Sequence, residues 1–145
     1  MTIREFQNRI AAALNGVEAL LKNGCKVFAE DMLTTQDALN NAVATAGKIA
    51  VVVVTPRLER DASGCEDGVP AGCRLLVRCV EAPALRGRRQ GFTALDAAEI
   101  VSHALDGGAI EWQDIDQTAD SRTGTVTATA EFGVSIILTD PTKEN

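Results

Sequence analysis

The most regular signal in the chain is an alternation near its end. Val126, Ala128, Ala130, Phe132, Val134, Ile136 and Leu138 take every second position, with Thr125, Thr127, Thr129, Glu131, Gly133 and Ser135 between them. Period two over this length predicts one long strand with one buried face, and Gly133 marks a bend or bulge in it. A helical period opens the chain. Ile3, Phe6, Ile10, Leu14, Val17 and Leu21 recur at three- and four-residue steps, and Leu20 widens the stripe. Thr2 and Glu5 fit a capping box in front of it, and Asn23-Gly24 stops it. One helix is expected over this stretch. Gly16 inside it costs about 1 kcal/mol against Ala and marks a bend or a close contact.

The stretch around which the rest is organised runs from Gly91 to Gly108. Thr93 is a good N-cap, Asp96 puts a negative charge in the first turn, and Gly107-Gly108 supplies a left-handed stop. Asp96, Glu99, His103 and Asp106 form one narrow polar stripe. Leu95, Ala98, Val101, Ala104 and Leu105, with Ala94, Ala97 and Ile100, make an apolar face wider than usual. Such a helix is expected to be covered on more than one side, by its own sheet or by a neighbouring subunit.

The remaining segments are shorter. Cys25 to Glu30 reads as a short strand, and Thr34 to Gly47 as a small helix. Ile49 to Val54 is an unbroken, largely β-branched run closed by Pro56, which suits a central strand covered on both faces. Arg57 to Gly72 reads as the longest loop. Cys73 to Val80 is a strand with Cys73, Leu75, Val77 and Cys79 on one face and Arg74, Leu76, Arg78 and Val80 on the other. A basic loop from Leu85 to Gly91 feeds the helix. Ala109 to Ile115 is a short strand, Asp116 to Gly124 a polar turn, and Asp140-Pro141 opens a polar tail. This order predicts an α+β fold, a small mixed or antiparallel sheet packed against helices, in a single domain spanning 1–145.

Composition changes that picture little. The chain has 145 residues, 46% hydrophobic and 23% charged, which is enough for a core without disulfides or metal. Aromatics are 3%, with no Tyr and one Trp, so the core is aliphatic. A net charge of −6 disfavours general binding to nucleic acid or anionic membranes. No run suits a membrane span and the first residues do not suit a signal peptide, so a cytosolic protein with reduced cysteines is expected.

Candidate chemistry is sparse. Cys25, Cys65, Cys73 and Cys79 contain no Cys-x-x-Cys pair, and Cys73 and Cys79 on one strand lie roughly 20 Å apart. Cys65 and Cys73 bracket a loop and could pair if oxidised; buried thiols are the simpler expectation. His103 with its acidic neighbours has the makings of an acid or base, but the spacing is ordinary for a solvated helix and no nucleophile stands beside it. Glu59, Asp61, Glu66 and Asp67 lack the register of a calcium loop, and no phosphate-binding loop is present. Arg57, Arg60, Arg86, Arg88 and Arg89 could form a basic patch for nucleic-acid phosphates, although only Phe92 lies beside it to stack on bases, or for an acidic protein surface; a plain solvated loop is the bland reading. Trp112 suits a packing or interface anchor. No catalytic residue, cofactor or metal is expected.

The Thr-Ala-Leu-Asp-x-Ala-Glu helix ending in Leu-x-Gly, with a basic Gly-containing loop before it and a long alternating strand after it, resembles the second half of phage tail terminator (tail completion) proteins of long-tailed, lambda-like or Mu-like phages. The resemblance covers most of the chain as element order but only Gly91 to Gly108 as motif. It implies a small sheet packed on helices in a subunit that closes into a ring, often a hexamer. Such a ring caps the tail tube and helps join it to the head, with the tube protein and head-tail connector proteins as partners and DNA passing through the lumen. Assembly would take place in the host cytoplasm and the product would reside in the virion tail. The Thr34 to Gly47 helix and the Cys65-containing loop are not features of that pattern. The alternative class is a small ligand-binding domain or enzyme that uses His103.

Overall fold

The computed structural model describes residues 1–29, 48–60, 68–81 and 91–143. They form an α+β fold. Helices α1 (Ile3–Asn15), α2 (Glu18–Leu21) and α3 (Ala94–Leu105) accompany strands β1 (Cys25–Ala29), β2 (Ile49–Arg60), β3 (Val69–Glu81), β4 (Ile110–Ala119) and β5 (Val126–Leu138). The strands make one mixed sheet in the order β1-β2-β3-β5-β4. β1 runs parallel to β2, and every other pair is antiparallel. The smaller helix expected over Thr34 to Gly47 lies outside the described residues, as do Cys65 and Arg86 to Arg89.

One face of the sheet carries the helices. α1 packs over β1 and β2, and α3 over β3, β5 and β4. The apolar residues of the central strands' alternation fill this layer: Ile49, Val51 and Val53 on β2, Leu75, Val77 and Cys79 on β3, and Ala128, Ala130 and Phe132 on β5, all at 0% exposure. The other face of β2 is closed as well, since Ala50, Val52 and Val54 are buried too. The expectation of a central strand hidden on both faces therefore holds.

The opening helix is not continuous. α1 ends at Asn15, Gly16 caps it, and Val17 is extended before α2 starts a new turn. The break rephases the stripe: Leu14 and Leu20 are fully buried, whereas Leu21 is 50% exposed. Gly16 is thus a stop rather than a bend, because a residue of poor helix propensity sits where packing no longer rewards another turn. The buried Gln7 is satisfied by donating from Nε2 to Thr55 Oγ1 at 2.5 Å, which ties α1 to β2.

The longest expected loop is also shorter than its sequence suggests. Arg57 to Arg60 continue β2, and Val69 to Gly72 already belong to β3, paired from Arg57↔Arg74 to Arg60↔Ala71. Polar side chains and Gly punctuation masked a two-stranded extension whose β2 half is exposed. A register shift between Val54 and Arg57 accommodates Pro56, which has no amide hydrogen to give a ladder. β4 likewise runs to Ala119 rather than stopping at Ile115, since cross-strand pairing to β5 holds residues that look turn-like in isolation.

α3 has the caps that its sequence calls for. Thr93 Oγ1 accepts from the Asp96 amide, and the Asp96 carboxylate accepts from the Thr93 amide at 2.9 Å, a complete capping box. The amide of Ala94 donates to Glu81 Oε1 at 3.1 Å, so a buried carboxylate at the end of β3 holds the helix start. Gly107, at φ 138°, and Gly108, at φ 57°, turn the chain back, and Gly107 and Ile110 exchange both backbone hydrogen bonds. Loss of the cap in Thr93→Ala is expected to cost about 1 kcal/mol, read as a lower urea midpoint at unchanged slope. Within one chain α3 is covered on one side only. Ala94, Ala97, Ala98, Val101 and Leu105 are buried, while Leu95 is 41% exposed and Ala104 is open.

Candidate functional site

β4 is an edge strand, and two surfaces meet along it. On the helix side, Ile110, Trp112 and Ile115 face α3, because Trp112 pairs with the core residue Phe132 and Ile115 with Ala130. The register shift between Trp112 and Asp114 makes Gln113 a bulge residue, which lets Trp112 and Ile115 share a face across an odd spacing. Trp112 sits at the rim, 43% exposed, with its ring 6.5 Å from that of His103. Its polar atoms are already used: the amide donates to Asp106 Oδ1 at 2.9 Å and Nε1 to the Asp114 carbonyl at 3.1 Å. What remains for a partner is an oriented aromatic surface.

The polar stripe of α3 lies beside it. Phe92, Asp96, Glu99, Ile100 and His103 border an open hollow of about 400 Å³. Two of the acids expected to support His103 have other duties. Asp96 caps the helix and Asp106 holds Trp112. Glu99 alone remains near the imidazole on the hollow's border.

The opposite face of the sheet is charged. Cross-strand rows over β3, β5 and β4 read Arg74–Gly133–Glu111, Leu76–Glu131–Asp114 and Arg78–Thr129–Asp116. Arg74 donates to Glu131 Oε1 at 2.7 Å. The hydrogen bond to Glu131, and then its charge, raise the Arg74 pKa. Arg57, opposite Arg74, is ion-paired to Glu59. A hollow of about 580 Å³ lies over Gly72 and Gly133, rimmed by Arg57, Arg74 and Glu131. Gln113 folds across Gly133, where a Cβ would stand 2.6 Å from its Nε2, the free end of an exposed side chain that can swing aside. A second hollow of about 470 Å³ contains Arg78. This guanidinium is half-buried, and its Nε is shut from solvent with no hydrogen-bond partner. Burial, and then the charge of Arg74, hold its pKa below the ordinary arginine value.

Of the residues singled out in the sequence, Arg57 lies on the charged face, Arg60 on the helix face opposite Ala71, and Trp112 on the helix face at the far edge. They do not form one patch. Arg86, Arg88 and Arg89 lie outside the described residues. Arg74 and Arg78 were legible as sharing a face, but their carboxylate neighbours come from β4 and β5 and are brought in only by the sheet.

Cys25, Cys73 and Cys79 are free and buried. Burial pushes the Cys25 and Cys73 thiols up to about 11 and raises Cys79 as well, so all three are protonated and unreactive at neutral pH. Cys65, with which Cys73 could pair on oxidation, lies outside the described residues. Among the described residues, no three His, Cys, Asp or Glu side chains are grouped to hold a metal, and no helix is long and apolar enough to cross a membrane.

No protein-family model matches the chain, and no curated protein matches it. Among solved structures it is similar to a chain from the virion of a native gene transfer agent particle, with TM-score 0.55 and 15% identity over 90% of this chain and 93% of that one. At that identity the likeness shows a common fold. A crystal structure from Akkermansia muciniphila aligns at TM-score 0.37 and 13% identity over 99% of this chain and 82% of that one. The fimbrial biogenesis protein PilO from Pseudomonas aeruginosa aligns at TM-score 0.27 and 9% identity over 92% and 81%. Both superpositions are too loose to carry an argument.

Proposed function

We propose that this chain is a structural component of a phage-like particle, and specifically a tail terminator that works by binding and has no catalytic role. The observation that carries the reading is the fold likeness to a gene transfer agent virion chain, which spans nearly the whole of both chains. The motif resemblance over Gly91 to Gly108 points to the same class. The surface agrees with it. An aromatic anchor with satisfied polar atoms, an exposed Leu95 on α3 and a two-stranded extension whose β2 half is exposed are contact features. On this reading copies associate into a ring that matches the end of the tail tube on one side and offers no template for further tube on the other. Trp112, Arg57 and Arg60 contact neighbours, as do Arg86, Arg88 and Arg89 of the basic loop. The ring assembles in the host cytoplasm and stays in the particle.

The test is tube polymerisation in the presence of the purified protein, with native mass read by light scattering. Substoichiometric protein is expected to arrest tube growth. Trp112→Ala is expected to weaken that arrest at least tenfold, as for an anchor residue, while shifting the unfolding midpoint little because the ring is already near half exposed. Unimpeded tube growth at saturating wild-type protein defeats the reading. Full arrest by Trp112→Ala removes Trp112 from the contact.

A further inference from the structure

The two edges of the sheet carry opposite charge and lie at the same height. β4 holds Glu111, Asp114 and Asp116 and no cation. At the other edge β1 holds Lys26, with Lys22 just before it and the Lys48 stem laid across Gly24 at its start. All six are exposed, and among the described residues none is ion-paired. The strand pairings set Lys26–Ala50–Val80–Thr127–Thr118 in one row and Phe28–Val52–Arg78–Thr129–Asp116 in the next on the same face. β1 is therefore level with the second half of β4, Ile115 to Ala119. The first half of β4 is engaged by its own side chains: the Trp112 amide donates to Asp106, and the Trp112 indole donates to the Asp114 carbonyl. Among the described residues, nothing pairs with the outer side of Ile115 to Ala119 or of β1. A bare strand edge is a ready template for another strand. Pairing β4 with a second β4 sets acid against acid, and pairing β1 with a second β1 sets lysine against lysine, so each edge rejects itself and suits the other.

We propose that copies of the chain join head to tail, β1 of one copy adding to the second half of β4 of the next, so that their sheets run on as one. β1 is parallel to β2, and three antiparallel steps separate β2 from β4, so β1 and β4 run in opposite directions. Copies related by rotation about an axis roughly along the strands keep every strand direction and every face. The joint is then antiparallel, and the helix side of one sheet continues into the helix side of the next. With the strands level, Lys26 of the partner subunit lies beside Thr118 and diagonal to Asp116. Diagonal neighbours stand roughly 7–8 Å apart, within reach of a lysine. On the helix side, Val27 and Ala29 of the partner subunit lie beside Gln117 and Ile115. Each joint uses one β4 and one β1, so every open string of copies keeps one unlike edge at each end until it closes into a ring. No two-fold relates the two rims of such a ring, which leaves them different, as a cap on one end of a tube needs. The proposal deepens the assembly reading by naming the two edges that meet, and rests on that reading only for the expectation that copies associate.

The experiment is a charge swap read by sedimentation velocity between about 10 µM and 1 mM at low and high salt, since exposed pairs are screened by salt. Wild-type protein is expected to associate, more weakly at high salt. Lys26→Glu and Asp116→Lys are each expected to weaken association at least tenfold. An equimolar mixture of the two single variants, and the double variant alone, should recover it, because both restore opposite charges at the joint. Both residues are exposed, so the variants are expected to keep the wild-type melt; Lys26→Ala and Asp116→Asn replace a reversal that does not, and should weaken association in the same direction. Amide hydrogen exchange is expected to slow on association within Ile115 to Ala119 and within β1, and to leave the Trp112 amide, already bonded to Asp106, unchanged. A chain that stays monomeric throughout, single variants that associate like wild type, swaps that fail to rescue, or association without protection of the two edges overturns the proposal. Association with all these signatures beside unimpeded tube growth would leave the joint standing while the terminator reading falls. Arrest of tube growth by single variants that associate like wild type would leave the terminator reading standing while the joint falls.

Discussion

Phe132→Ala is expected to cost roughly 3–5 kcal/mol, a large share of the 5–15 kcal/mol that holds a domain of this kind together. Phe132 is the largest fully buried side chain, at the middle of β5, paired across the sheet with Leu75 on one side and Trp112 on the other. α3 lies above it and presents Ala94, Ala97 and Ala98. Alanines let a helix approach a sheet closely, and one large ring then fills what they leave. The one aromatic beside it, Trp112, is held at the rim by its bonds to Asp106 and the Asp114 carbonyl and does not swing into the hole. Collapse is therefore limited, and the cavity cost adds to the transfer cost. Phe132→Leu keeps most of the volume and is expected to lose about 1 kcal/mol. Urea unfolding followed by the fluorescence of the single tryptophan reads both. A loss below about 1.5 kcal/mol for Phe132→Ala would mean that the helix layer closes down on the site.

The second large effect is loss of stability in alkali. An unfolded thiol gives up its proton near pH 9, while native Cys25 and Cys73 keep theirs up to about 11. Below pH 9 both states are protonated and the full stability is present. Between pH 9 and 11 the unfolded chain releases protons that the native chain retains, so stability falls as pH rises, and above 11 the loss is complete. Two pH units correspond to about 2–3 kcal/mol per thiol, and Cys79 adds in the same direction. The absence of tyrosine removes the usual competing phenol titration from this window. Urea midpoints at pH 8 and pH 10.5 measure the fall, and Cys73→Ala should flatten it. Equal slopes for wild type and variant would show that the thiols do not drive it. In the same vein, the buried thiols should react with a thiol reagent at pH 8 far more slowly in native protein than in urea.

Periodicity by itself determined the long terminal strand, the faces of β3, the buried run of β2 and the caps of α3. Each of these depends on neighbours in sequence: alternation places a side chain on a face, and a hydroxyl or carboxylate three residues away satisfies a helix end. The proposed terminator reading draws on the same local signals. Tertiary structure decided the rest. Whether the chain stops at Gly16 depends on where Leu14 and Leu20 find the core. Whether Arg57 to Arg60 and Asp116 to Ala119 are loop or strand depends on the partner strand supplying hydrogen bonds to segments with no apolar alternation of their own. The alignment of Arg78 with Thr129 and Asp116, the hold of Glu81 on α3 and the seat of Trp112 against His103 all join residues of different elements. A sequence states which side chains share a face of their own element; only the register between elements states which charges, rings and orphaned donors face one another, and that register is fixed by packing of the whole sheet.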